Sequence, residues 1–201
     1  ASVSRLVTYY SQAANPVPKT HLNFPNQESP VNFCVPAGVS NSLQWLNTKN
    51  NLGMQANDIS IPTLAGAFGT TPGNGTVTNT IYPNKKAYCK KKKLPITTRK
   101  FSGNRIGDIV NEIKNGQDVE LMVKWKGQGG KGHCVAITGI TSLGNGKYAL
   151  VITHDKEQGV NGGTVDENAT YDKNTKKWGG ALSKASGQSG DIIFMVECPL
   201  V

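Results

Sequence analysis

The groups in this chain able to form covalent bonds or move protons near neutral pH are four thiols, Cys34, Cys89, Cys134 and Cys198, and three imidazoles, His21, His133 and His154. Cys34 stands out by its place. In VNFCVPAGVSNSLQWL, residues 31–46, it comes two residues before Pro36, and an amphipathic run follows. Proline suits the first turn of a helix, where its missing N–H is not needed. Val39, Leu43 and Leu46 fall at i, i+4 and i+7, one apolar stripe with Trp45 at its side. The pattern predicts a helix from Pro36 to about Thr48. The start of a helix offers free N–H groups and partial positive charge, and both favour a thiolate over a thiol. Cys34 is therefore a candidate nucleophile. The competing reading is one more small, buried, inert thiol.

A thiol nucleophile needs a base within hydrogen-bond reach and a third group to hold the base. His133 opens the apolar segment HCVAITGI, 133–140, and KYALVITHD, 147–155, follows after the turn LGNG, 143–146. This predicts a β-hairpin. In such a hairpin the start of one strand lies beside the end of the other, so His133 and Asp155 become near neighbours. An imidazole and its orienting carboxylate require that placement. His154 is expected to be structural or at the surface. Cys134 should face away from His133, since side chains alternate along a strand. That favours a buried thiol or a disulfide there.

Other elements must position these groups. Residues 1–33 contain Pro16, Pro18, Pro25 and Pro30 and read as an extended, wrapping segment after a short strand at RLVTYY. A short helix is expected around Ile61–Phe68, then the turn-rich TTPGNG, 71–76. Ile106, Ile109, Val110 and Ile113 predict a helix from about Asn104 to Lys114, ended by Asn115 and Gly116. Strands follow at 119–125 (VELMVKW) and, after the glycine-rich turn 127–132, in the hairpin. A last strand is expected at 191–198 (DIIFMVEC), with a long polar loop at 156–180. Helices in the first half and an antiparallel sheet in the second make an α+β pattern.

Composition narrows the classes. The chain has 201 residues, 37% hydrophobic, enough for one sizeable core built as one domain or two lobes. No apolar run approaches the roughly 20 residues of a membrane span. An alanine start and many Gly, Asn, Thr and Ser read as a mature secreted protein. The cysteine spacings fit neither a zinc knuckle nor a redox pair. In an oxidising compartment they allow two disulfides, or one disulfide and two thiols, with Cys89 and Cys198 as plausible staples. The net charge is +9, and much of it sits in KKAYCKKKKLPITTRK, 85–100. This stretch, Lys85 to Lys100, reads as a solvated basic face that could meet an acidic partner. It lacks interleaved stacking aromatics apart from Tyr88, and no DNA-binding motif accompanies it, so nucleic acid is not the expected partner. No cofactor or metal site is expected: the histidines lack HExxH spacing, and no EF-hand or P-loop is present.

The sequence resembles the papain-like cysteine peptidases, most of all the C39-like family. The pieces, in order, are NQ at 26–27, CVPAGVSNSLQWL, IGDIVNEIKNGQDVELMVKW, GHCVAITGI and THD. The resemblance implies a single papain-like domain over 1–201, with a helical lobe at about 31–116 and a sheet lobe at about 117–201. It implies a hydrolase of peptide or amide bonds working through an acyl-enzyme on a peptide or protein substrate. Cys34 would be the nucleophile, His133 the base, Asp155 the orienter and Gln27 an oxyanion donor. Three departures are visible. Gln27 lies seven residues before Cys34 where about six is usual, so Asn26 or Asn32 could serve instead. Val35 stands where glycine is common, and THD replaces Asp-Pro. The alternative reading is an inactive papain-like module that binds a partner or acts as an effector.

Overall fold

A computed structural model describes residues 17–154, the backbone of 156–157, and 166–200. The short strand expected at RLVTYY and the orienter expected at Asp155 lie outside the described residues.

Strand β1 is Glu28–Ser29, and helix α1 is Cys34–Asn50. The helix starts two residues before the expected Pro36, which sits in its first turn. The predicted stripe is real: Val39, Leu43 and Leu46 are fully buried, with Trp45 at 7% exposure. Asn51, in the left-handed conformation at φ 50°, ends the helix by donating its N–H to Asn47 O. Helix α2 is Ile61–Phe68, as expected, with Ser60 as its N-cap.

Helix α3, Ile81–Lys91, takes in the first part of the lysine-rich stretch, for which the sequence pattern predicts no element. Its buried residues, Ile81, Lys85 and Cys89, recur every four positions, so one face is buried although a lysine stands in the middle of it. Strand β2 is Ile96–Ser102, and helix α4 is Ile106–Lys114 with the four expected apolar residues buried. Then come β3 (Asp118–Lys124), β4 (Gly132–Gly144), β5 (Lys147–Thr153), β6 (Lys156–Glu157), β7 (Asp166–Asp172), β8 (Lys177–Gly180) and β9 (Ile192–Pro199). The expected polar loop at 156–180 is corrected: much of it is β7 and β8, which extend the sheet beyond the hairpin.

Seven strands form one antiparallel sheet in the order β2-β9-β3-β4-β5-β7-β8. The molecule has the expected α+β, papain-like order of helices followed by antiparallel sheet. Only β2 enters the sheet from the helical half. The two faces of the sheet carry two cores, as period-2 alternation requires. Met122, Cys134, Ala136 and Met195 pack with α1 and α3. Val119, Leu121, Val123, Val135 and Ile137 pack with α4. Gly38 lets α1 approach β4, since a methyl group there would lie 3.3 Å from Cys134 Sγ. The segment before β1 wraps as expected where it is described. Thr20 and His21 donate N–H bonds to Thr138 O at 2.8 and 2.9 Å, and the His21 ring stacks on Trp45 at 3.8 Å.

The expectation of disulfides is overturned, because none of the four cysteines is disulfide-bonded. Their sulfurs serve different neighbourhoods. Cys34 opens α1, Cys134 is pressed against Gly38, Cys89 is buried on α3, and Cys198 accepts a 3.1 Å contact from Arg99 Nη2.

The basic stretch is also not wholly a solvated face. Lys85, 1% exposed, turns inward and is ion-paired to Glu120 at 2.7 Å and to Glu197. Lys92 pairs with Asp58 and Arg99 with Glu112, while Lys86 and Lys100 lie over the Tyr82 ring.

Candidate active site

A cleft of about 1010 Å³ runs between the start of α1, the turn at 73–79 and the β3–β4 hairpin. Cys34 and His133 both line it, with Asn32, Trp125 and Lys131 among its other walls. Cys34 is the first residue of a 17-residue helix and is half-buried, so the field of free N–H groups falls on its sulfur. Val35 is 6% exposed and joins the core beneath the helix while still touching the cleft wall.

His133 sits at the open end of β4. Alternation puts Cys134 against α1 and His133 on the other face with Val135. Only at the strand end can an imidazole from that face border the cleft that Cys34 opens onto. Gly132 makes this approach possible: a side chain there would drive into the Val123 carbonyl of the neighbouring strand. The Trp125 ring lies 5.8 Å from the His133 ring at 19° between planes and covers one side of it.

The other side of His133 meets a group that sequence reasoning had set aside. His133 Nε2 is 2.9 Å from His154 Nδ1. His154 Nε2 is in turn 2.9 Å from Glu167 Oε2, a charge contact out of line for a hydrogen bond. Register explains the alignment. Ala136 pairs with Thr153, and Ile152 pairs with Glu167. Counting outward, His133, His154 and Glu167 fall on one face of three adjacent strands. Burial first, and then the charge of His154, lower the His133 pKa from 6.5 to about 4. His133 is thus a neutral imidazole near neutral pH, the form that can accept a proton.

Gln27 is placed elsewhere. Its Nε2 donates to Ser40 Oγ at 2.9 Å and to Asn41 Oδ1 at 3.0 Å, which ties β1 to the flank of α1. It is not among the residues lining the cleft. Asn32 is, two residues before Cys34, with Nδ2 donating to Pro72 O at 2.6 Å. That bond uses one amide proton and leaves a second. The structure thus brings Cys34, His133 and Asn32 to one cleft and leaves Gln27 outside it. No Cys–His–Asp triad is assembled among the described residues.

The family model for the Peptidase_C39 like family matches residues 5–184. The chain belongs to that family. Its structure is similar to that of a Bacillus anthracis protein named as a C39-like peptidase, with a TM-score of 0.52 and 14% identity. The likeness covers 90% of this chain and 96% of the other. At that identity it speaks for the fold. No curated protein matches the chain. The cleft just described is where this C39-like fold brings the end of its central helix against the mouth of its sheet.

One more cluster of reactive groups lies away from that cleft. The carboxylates of Asp118, Glu120 and Glu197 lie within 4.8 Å of one another, the spacing of metal ligands, and all three are buried. Lys85 already brings a cation to Glu120 and Glu197. In this C39-like chain the trio reads as the cage of a buried lysine.

Proposed function

We propose that this protein is a cysteine-dependent hydrolase of peptide or amide bonds, with Cys34 as nucleophile and His133 as general base. The observation carrying the reading is that a helix-initiating cysteine and a neutral, half-buried histidine line one cleft in a chain of C39-like ancestry.

The chemistry runs as an acyl transfer. His133 takes the thiol proton as the Cys34 sulfur attacks the carbonyl carbon. The negative charge that develops on the carbonyl oxygen needs preorganised donors. The Cys34 backbone N–H and the second amide proton of Asn32 are the donors we assign to it, in place of Gln27, whose protons are engaged. His133 returns the proton to the leaving amine. Water then attacks the thioester with His133 again as base, which frees the acid and restores the thiol. Asp155, the orienter that the family resemblance implies, lies outside the described residues, and the His133 Nε2 it would hold already faces His154.

The cleft also bears on substrate. Lys100, Lys124 and Lys131 line it, and none of the described Asp or Glu residues does. An acidic peptide segment suits such walls. The Lys85–Lys100 stretch reaches the cleft through Lys100, so the acidic partner expected at that stretch could be the substrate itself.

The test is hydrolysis of a mixed peptide library followed by mass spectrometry. Cleavage is expected in the wild type, and both Cys34→Ala and His133→Asn should lose it by roughly two orders of magnitude or more. A folded wild type that cleaves nothing, or a Cys34→Ala variant that cleaves as well as the wild type, contradicts the reading.

A further inference from the structure

We propose that His154, backed by Glu167, is the positioning residue that fixes the tautomer of His133. This inference rests on His133 acting as the base at Cys34. The derivation needs only donor and acceptor rules. An ionised carboxylate can accept hydrogen bonds but not donate them. Glu167 Oε2 lies 2.9 Å from His154 Nε2, so a bare, electron-rich nitrogen there would sit against a negative charge, whereas an N–H is attracted to it. His154 Nε2 therefore carries its proton, and in the neutral ring Nδ1 is then bare. That bare Nδ1 lies 2.9 Å from His133 Nε2, which must supply the proton between them. His133, itself neutral, then has Nδ1 unprotonated. A single carboxylate thus sets two imidazoles in sequence, and the basic nitrogen left over is the one available for a thiol proton.

The placement is built into the sheet. Glu167 pairs with Ile152 on β5, and the neighbouring Asp166 is held by Lys19 at 3.0 Å and by Thr153 Oγ1 at 2.7 Å. The start of β7 is therefore anchored beside the end of β5. Trp125 closes the opposite side of the His133 ring, so the imidazole is held between an aromatic plane and a hydrogen-bonding partner. Among the described residues, the titratable groups around His133 are His154 from the end of β5, with Glu167 of β7 behind it, Lys124 and Lys131 of the same β3–β4 hairpin, and Cys34 lining the same cleft.

When His133 accepts the Cys34 proton at Nδ1 the ring becomes an imidazolium. Its Nε2–H keeps donating to His154, and Glu167 lies beyond to offset the positive charge. No proton has to leave the chain of rings. The proton that arrives is the one later passed to the leaving amine.

The experiment is the rate of iodoacetamide alkylation at Cys34, located by peptide mapping, as a function of pH, with circular dichroism as a check of folding. Four variants are compared with the wild type: His133→Asn, His154→Phe, His154→Asn and Glu167→Gln. His154→Phe removes the acceptor and should slow the plateau rate roughly tenfold. His154→Asn keeps an acceptor close to the former Nδ1 and should restore most of that loss. Both remove the neighbouring imidazole that, after burial, helps lower the His133 pKa, so the acid limb, near pH 4 in the wild type, should move to higher pH. Glu167→Gln, on a half-exposed side chain that the fold can spare, should also slow the plateau by freeing the tautomer. If His133→Asn slows alkylation but His154→Phe and Glu167→Gln leave rate and limb as in the wild type, the inference is wrong and the base assignment stands. If His133→Asn itself alkylates at the wild-type rate, the base assignment fails and takes the inference with it.

Discussion

His21 shows how much one side chain can carry away from the cleft. It is 1% exposed and stacks on Trp45. Burial lowers its pKa from 6.5 to about 4. Below its unfolded pKa the unfolded chain binds the proton that the folded chain refuses. Stability is therefore lost as pH falls from about 6.5 towards 4, by about 3 kcal/mol in all. His21→Phe keeps the stack and removes the titration, so its denaturation midpoint should fall less between pH 7 and pH 4.5 than that of the wild type. Gly132→Ala is expected to cost about 2 kcal/mol or more, since the new methyl group meets the Val123 carbonyl, and to slow chemistry at Cys34 by shifting His133. Urea unfolding and Cys34 alkylation measure the two effects. Cys34 and His133 were legible in the sequence because each sits at an element boundary marked by Pro36 or Gly132. His154 was not. The β4–β5 register shifts twice, between Ile137 and Gly139 and between Ser142 and Gly144, and such bulges leave no sequence signal strong enough to count across. Those shifts decide which residue of the THD end lies near His133.

At the scale of elements, α3 and the buried ends of β3 and β9 depend on one another. Lys85 sends a buried ammonium to the Glu120 and Glu197 carboxylates, with the buried Asp118 carboxyl beside them. Burial first, and then the Glu120 charge, push Asp118 well above the usual carboxylate range, and burial also raises Glu120. Lys85→Met should destabilise by about 3–5 kcal/mol, because it leaves buried carboxylates without their cation. Asp118 has the opposite pH sign to His21. Its raised folded pKa favours the folded state at low pH, and that contribution fades as pH climbs through the folded value. Asp118→Asn can keep the 3.0 Å bond that Asp118 Oδ1 accepts from the Glu197 N–H. Its thermal midpoint should therefore fall less than that of the wild type on going to alkaline pH. Thermal melts across pH check both variants. The helices α1, α2 and α4 and the strands β3, β4, β5 and β9 were legible because their apolar periods are strong. Helix α3 was hidden because a lysine occupies the middle of its buried stripe, β8 because it is a short edge strand, and β7 because most of DENATYD is polar. A trace was present all the same: Glu120 and Glu197 stand inside apolar strands, and a carboxylate in that position calls for a buried cation.

Over the whole molecule, the charge of the cleft matters more than the total of +9. Lys100, Lys124 and Lys131 face it without an acidic lining residue among those described, although Lys124 also reaches Asp191 at 3.4 Å. Peptides with acidic residues near the cut should be hydrolysed faster than matched neutral peptides. The preference should shrink from 50 mM to 500 mM salt, as screening predicts, and Lys131→Glu should weaken it; kcat/KM for paired peptides measures all three. No helix among the described residues is long and apolar enough to cross a membrane. The family and the α+β order were both readable from the motif series, whereas the occupants of the cleft rim depended on loops that carry little pattern. The proposed activation of Cys34 would be a property of the folded whole, and one measurement tests it most directly: iodoacetamide labelling at pH 6 of the native and the urea-unfolded protein, mapped thiol by thiol. An ordinary thiol is only about 0.3% ionised at that pH. The account predicts that native Cys34 is alkylated well ahead of the unfolded chain, that the preference vanishes in urea, and that His133→Asn removes it. A native Cys34 that reacts no faster than it does in urea would contradict it.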